Sequence, residues 1–321
     1  VTTKSKVTGL GLAVVKKIAD EHGARIRTAN LPAAGGAAAA EERAALPPST
    51  TYSEGVKVCT ECHDDEHATA IMSGPHGMAA DPRTPAATKG CESCHGPGGE
   101  HARQEKKFRV AQTLEGHSEE DAAERAEVCM NCHGKTAQKH FLTSEHSRAD
   151  VACSDCHDVH SRNDKVLNRV TQTEVCVDCH QDQKANMNKF SRHPIREGKV
   201  ACTDCHNPHG AKGEHMLVEA TTNETCYKCH AEKRGPFLFE HEPVQDDCSE
   251  CHNPHGSVND QLLTARPPFL CQQCHNDTRH PGTVYANANV ASSNRAIGRG
   301  CTNCHTNVHG SNHPSGVTFR R

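Results

Sequence analysis

Apolar residues fall at helical spacing near the start of the chain, where Leu10, Val14, Val15 and Ile18 share one face and Gly23 supplies the stop. Residues 119–128, EEDAAERAEV, read as a second helix, a solvated one leading into Cys129. The rest of the chain carries no sustained period, so the expected fold is mostly loops and short α-helices with little or no β-sheet. No stretch approaches the roughly 20 apolar residues that a helix needs to cross a bilayer. VTGLGLAVV is short, broken by Gly and followed by Lys16 and Lys17, which makes it a poor core for an export signal.

Composition sharpens the picture. The 321 residues would allow two ordinary domains, yet they include no Trp and only 3% aromatic residues, and the mean hydropathy is -0.73. A side-chain core of normal size cannot be built from such material. Something else must fill the interior.

Cysteine names the filler. All 20 Cys lie in Cys-x-x-Cys-His motifs: Cys59/Cys62/His63, Cys91/Cys94/His95, Cys129/Cys132/His133, Cys153/Cys156/His157, Cys176/Cys179/His180, Cys202/Cys205/His206, Cys226/Cys229/His230, Cys248/Cys251/His252, Cys271/Cys274/His275 and Cys301/Cys304/His305. This pentapeptide attaches c-type haem: two thiols one helical turn apart add to the two porphyrin vinyl groups, and the next imidazole is held beneath the iron as proximal ligand. A disulfide framework or a set of zinc sites would also pair cysteines, but neither requires a histidine after every second one. Ten covalent haems are therefore expected. From Cys59 to Arg321 this leaves about 26 residues per haem, so the porphyrins themselves form the core and no room remains for a catalytic domain.

Ten of the 26 His are proximal. The others follow a two-haem repeat in which an A site (first Cys 59, 129, 176, 226 or 271) is followed by a lone histidine, then a B site (first Cys 91, 153, 202, 248 or 301), then a trailing histidine. The lone ones are His76, His146, His193, His241 and His280, and the trailing ones His101, His160, His209, His255 and His309. These ten are the candidate distal ligands. Three residues cannot carry an imidazole to the opposite face of the same porphyrin, so the second histidine of CHNPHG should ligate another haem and staple two neighbours together. At the ends of the series His67 competes with His76 and His313 with His309, while His117, His140 and His215 read as solvated or supporting residues and His22 lies outside the haem region.

Two imidazoles per iron leave no coordination position for a substrate, which favours electron transfer over catalysis. The formal charge of -4 becomes about -14 when each oxidised haem adds roughly one negative charge, which argues against nucleic acid and for basic docking partners. Without a spare cysteine there is no lipid anchor.

The paired sites FEHEPVQDDCSECHNPHG and FSRHPIREGKVACTDCHNPHG, the early SGPHGMAADP and CESCHGPGGEHAR, and the total of ten motifs resemble the MtrA/DmsE family of decahaem cytochromes over residues 52–321. The resemblance implies an elongated row of bis-histidine haems that runs from the periplasm into an outer-membrane β-barrel. Its implied partners are that porin-like barrel, an extracellular multihaem cytochrome and periplasmic cytochromes. The alternatives are a soluble periplasmic shuttle or donor to a terminal reductase, a subunit of a cytochrome filament, and a multihaem reductase. Residues 8–30, TGLGLAVVKKIADEHGARIRTAN, resemble instead the last glycine box and helix of a sensor histidine kinase ATP-binding domain. The parts that would bind adenine and Mg are missing from the chain, so residues 1–48 are expected to be a relic helix and an Ala/Gly/Pro-rich linker without function. Residues 49–321 form the decahaem domain.

Overall fold

The computed structural model describes residues 46–53, 55–114, 122–135, 137–275, 301–303, 305–314 and 316. The expected helix over Leu10–Ile18 and the kinase-like stretch lie outside them. Among the described residues backbone pairing between extended segments is limited to isolated bridges, and everything else is helix, turn or loop. The fold class expected from the sequence is the one observed.

The A and B sites differ in how they are wound. Each A site rides on a helix: α1 Val56–Thr60, α2 Ala122–His133, α3 Gln172–Cys179, α4 Thr222–Tyr227 and α5 Phe269–Gln272. The B sites begin on single turns, such as Glu92–His95 and Cys202–Cys205, or on 3-10 turns, such as Cys153–Asp155 and Cys248–Glu250. Local chemistry sets these starts. Thr221 caps α4 by accepting from the Glu224 N–H at 3.1 Å, and the Asp155 and Asp204 carboxylates turn back to accept from Ala152 and Ala201 N–H at 2.7 and 2.8 Å.

Helix α2 departs from the solvated helix expected over 119–128. It begins at Ala122 among the described residues and runs through the whole motif to His133, and Ala122, Arg125 and Ala126 are buried. The Arg125 guanidinium lies 3.6 Å from Asp155 of the same repeat's B site. Small residues on one face let the helix approach that site closely, a signal that its charged composition hides.

Consecutive repeats are stitched by backbone. Ser191 and Ser257 exchange hydrogen bonds of 2.9 and 2.8 Å, and Phe239 and Ser311 exchange two of 2.9 Å. Each pair ties the segment before a lone histidine to the segment after a trailing histidine one repeat on. The glycine closing CHNPHG makes this approach possible: Gly256 has φ +144° and its missing Cβ would sit 2.1 Å from Asn186 O, while Gly210 has φ +100° and the corresponding contact is His140 O at 2.7 Å.

Eight apolar residues are buried among those described, and five of them are alanines: Ala70, Ala122, Ala126, Ala152 and Ala201, with Phe141, Val177 and Met187. Side chains of this size cannot supply the burial that holds a chain of this length together. The stabilising mass has to come from the groups that the cysteines carry.

Candidate haem sites

In nine motifs the proximal histidine N–H donates to the carbonyl of the first cysteine at 2.8–3.1 Å, and in the remaining one, His133, the motif lies inside α2. One helical turn thus gathers two thiols and an imidazole. The described cysteines are all free thiols. Among the described residues no three His, Cys, Asp or Glu side chains converge as an ion cage, so neither the disulfide nor the zinc reading has support in the described geometry.

Within each repeat the lead thiols of the A and B sites meet. Cys59 hydrogen-bonds to Cys91, Cys129 to Cys153, Cys176 to Cys202, Cys226 to Cys248 and Cys271 to Cys301. The hydrogen bond from Cys59, against the opposing effect of burial, brings the Cys91 thiol down to about 6, and Cys176 brings Cys202 to about 7. Their partners are pushed far up, first by the same bonds and then by burial. Between repeats the second B-site thiol lies within electrostatic reach of the next A site, as Cys94 does of Cys129 and Cys132, and Cys205 of Cys226 and Cys229. The thiols therefore form one series in chain order.

The structure corrects one expectation about these thiols. The sequence presents all 20 as equivalent attachment points of a haem-filled interior, yet the second thiol of every A site, Cys62, Cys132, Cys179, Cys229 and Cys274, is exposed, whereas every other described cysteine is partly buried. The winding of the A sites accounts for the difference. The lead thiol turns toward its B-site partner, and the second one, three residues on, is carried to the outer side of the turn. Cys62 and Cys274 stand at the first and last A sites and remain within the attachment turn, their N–H groups donating to Cys59 and Cys271 O at 3.2 and 3.3 Å. They are attachment thiols on the rim of the protein, not in its interior.

The imidazoles meet in pairs. Lone histidines face the proximal histidine of the next A site: His76 faces His133 at a ring-centroid distance of 6.1 Å, His146 faces His180 at 6.0 Å, His193 faces His230 at 6.3 Å and His241 faces His275 at 6.0 Å. Trailing histidines face the proximal histidine of the preceding B site: His160 with His95 at 6.1 Å, His209 with His157 at 6.0 Å, His255 with His206 at 6.0 Å and His309 with His252 at 6.2 Å. His101 closes the first end of the series on His63 at 6.5 Å. Two iron–nitrogen bonds of about 2 Å, with about 1.1 Å from each nitrogen to its ring centre, require roughly 6.3 Å. The residues fit a bis-imidazole iron at nine sites.

Pairing skips a motif, joining A to A and B to B, so the staples do not link haems adjacent in the chain. His76 rather than His67 faces an A site. His67 instead stacks on His160 at 5.2 Å. His309 rather than His313 faces His252. His280 and Cys304 lie outside the described residues, as do His117 and His22.

The hydrogen-bond pattern prepares the rings as ligands. Nδ1 of His146, His193 and His241 donates to Pro208, Pro254 and Val308 O at 3.2, 2.9 and 3.0 Å. Each acceptor immediately precedes a trailing histidine, so the Asn-Pro loop is both a ligand carrier and a latch for the repeat before it. Nδ1 of His95, His101, His206 and His252 likewise donates to carbonyls, those of Gln112, Phe108, His215 and Gln261. A carbonyl can only accept, which fixes the proton on Nδ1 and leaves the Nε2 lone pair for a metal. Burial holds His76, His209, His241, His255 and His309 below the usual imidazole range, which keeps them neutral. His160 is the exception, with Nδ1 buried and without a hydrogen-bond partner.

Motif, thiol series and imidazole pairs together define a multihaem c-type cytochrome. The family model for the doubled CXXCH motif matches residues 193–235 and 241–280, and that for cytochrome c-type protein NrfB-like matches residues 91–169. Multiheme cytochrome MtrA of Shewanella baltica (strain OS185) is 44% identical over 274 residues, 84% of this chain and 82% of the relative. Cytochrome c-type protein NrfB of Escherichia coli O6:H1 (strain CFT073) is 31% identical over 135 residues, 40% of this chain and 68% of the relative. The chain belongs to the MtrA family of multihaem cytochromes, and it carries covalently bound c-type haem.

Proposed function

We propose that residues 49–321 hold ten c-type haems in a row that follows chain order and carries electrons between periplasmic carriers and an outer-membrane or extracellular partner. A bis-imidazole haem exchanges one electron without changing ligands. The chain's own part is to fix spacing, seal both axial positions and keep each ligand neutral. The carrying observation is the set of nine imidazole pairs at 6.0–6.5 Å. The ligands of those nine sites are the facing pairs described above, and His305 with His280 completes the tenth, closing the far end as His101 closes the near one.

The lead-thiol contacts support the order of the row, because thioether edges of successive porphyrins would then lie beside one another. Sealed iron argues for a conductor and against a reductase. No described helix is long and apolar enough to cross a membrane, so the proposed outer-membrane association runs through a porin-like barrel partner, with extracellular and periplasmic cytochromes at the two ends.

Intact mass of the exported protein should exceed the polypeptide by ten haems, and the reduced protein should bind little carbon monoxide at native pH. A product with eight haems, or one that binds carbon monoxide stoichiometrically, overturns the reading. Residues 1–45 contribute no ligand in this scheme. Replacing them with an ordinary export signal should leave the haem count and every visible band unchanged, and measurable nucleotide binding by the full chain would contradict the relic assignment.

A further inference from the structure

Three B sites have matched axial geometry. His157 and His209, His206 and His255, and His252 and His309 face each other at 6.0, 6.0 and 6.2 Å with ring planes 12°, 10° and 15° apart. They differ in what holds the proximal Nδ1. For His206 and His252 the acceptor is the carbonyl of the residue nine positions on, His215 at 2.9 Å and Gln261 at 2.7 Å. Both acceptor residues have left-handed backbone, with φ of 54° and 57°, which turns the carbonyl back toward the ring. The loop after His157 takes another course, and the acceptor is the Asp164 carboxylate, Oδ2 at 2.7 Å.

Asp164 is fixed in this role. Its Oδ1 accepts from the Val166 N–H at 3.2 Å as it caps the turn Lys165–Leu167, and its side chain is only 14% exposed. The neighbouring Lys165 ammonium lies 3.8 Å from Glu174. An acidic residue in the loop is not sufficient by itself. Glu214 and Asp260 occupy the position before the acceptor in the other two loops, and there the carbonyl takes the bond. Another proximal histidine near a carboxylate, His230, is 3.9 Å from Glu232, beyond hydrogen-bond length, with both side chains more than half exposed.

We infer that Asp164 is a positioning residue that makes the haem site of Cys153, Cys156 and His157 the low-potential step among these three B sites. A carboxylate accepting from Nδ1–H draws the proton, raises the electron density that Nε2 gives to the metal, and adds a negative charge close by in a poorly solvated place. Each effect stabilises the ferric over the ferrous state, and hydrogen bonding around the ligand is a recognised lever on haem potential. A carbonyl supplies the orientation without the charge. Reduction of this site takes one electron from a neighbouring site, which is oxidised by one, and the proton stays between His157 and Asp164. An electron travelling the row therefore meets an uphill step at the fourth motif, and its residence there is short.

This inference rests on the axial pairing proposed above, and the test separates the two. Wild type, Asp164→Asn and Asp164→Glu are exported as full-length holoproteins, and haem count by mass, spin state and a spectroelectrochemical titration are recorded for each. Asparagine keeps an acceptor and removes the charge. One component of the titration should move positive by at least tenfold in its reduction equilibrium, about 59 mV for one electron, and the glutamate should restore most of it. Ten low-spin haems with an unmoved titration overturn the inference and leave the pairing standing. Loss of the Cys153 haem in both variants makes Asp164 a folding element and also overturns it. High-spin iron in wild type would instead refute the pairing itself.

Discussion

Replacing His209 by alanine should leave all ten haems attached and turn a single iron high-spin, and that iron should be the one held by His157. The attachment residues next to the substitution, Cys202, Cys205 and His206, are untouched. What is removed is the imidazole that faces His157 at 6.0 Å across one iron's span. The nearby His206 keeps its own partner, His255, at the same distance. The readout is direct: the variant should bind carbon monoxide at one iron per chain where wild type binds little, and a high-spin ferric signal should appear. A second substitution locates it. His255→Ala should open the His206 site in the same way, so the double variant should open two sites independently, the two lying at different irons. High-spin iron at the His206 site in His209→Ala would mean that the loop ligates its own haem. Loss of the Cys202 haem without a high-spin signal would mean that His209 only supports the loop.

Much of this was legible before any coordinates, and the reason is the range over which each constraint acts. The attachment motif spans one helical turn, so two thiols and an imidazole at fixed spacing specify their own geometry. The five two-haem repeats follow from counting histidines against motifs, and the lead thiols of each repeat do meet. The unequal exposure of the two thiols in an A site, as between Cys59 and Cys62 or Cys271 and Cys274, was not legible, because it follows from which side of the turn faces the B site. Nor was the register of the staples. It depends on contacts such as His146 Nδ1 to Pro208 O, 62 residues apart, and His241 Nδ1 to Val308 O, 67 apart. Spacing alone cannot say whether a histidine reaches the next motif or the one after. Asp164 was hidden for another reason: the loop after His157 differs from its counterparts in backbone path, and the sequence around it, SRNDKV, reads as an ordinary polar turn. The buried face of α2 was masked by its charge, since Arg125 is 1% exposed in a stretch whose composition is that of a solvated helix.

The largest expected effect belongs to the row as a whole, and it is conditional on a partner. Lone histidines reach one A site forward, trailing histidines one B site back, and the backbone pairs at Ser191 and Ser257 and at Phe239 and Ser311 tie neighbouring repeats. A chain stitched between nearest repeats grows along one direction, as other repeat proteins do, so its first and last haem sites should be the ones open to redox partners. With a charge of about -14 once oxidised haem is counted, the rod should favour a basic barrel lumen and basic docking partners. Liposomes loaded with an electron donor and carrying the candidate barrel together with this protein should therefore reduce an impermeant acceptor outside. Liposomes with either protein alone should not. His209→Ala should slow the transfer without abolishing it, because the iron at His157 remains attached and redox-active. Deleting the motif at Cys176 should stop it, because removing one haem from the middle of a single row leaves no parallel path. A protein that stays in solution, ignores the barrel and exchanges electrons with periplasmic cytochromes alone would be a shuttle, and the deletion would then leave its exchange at the two ends intact.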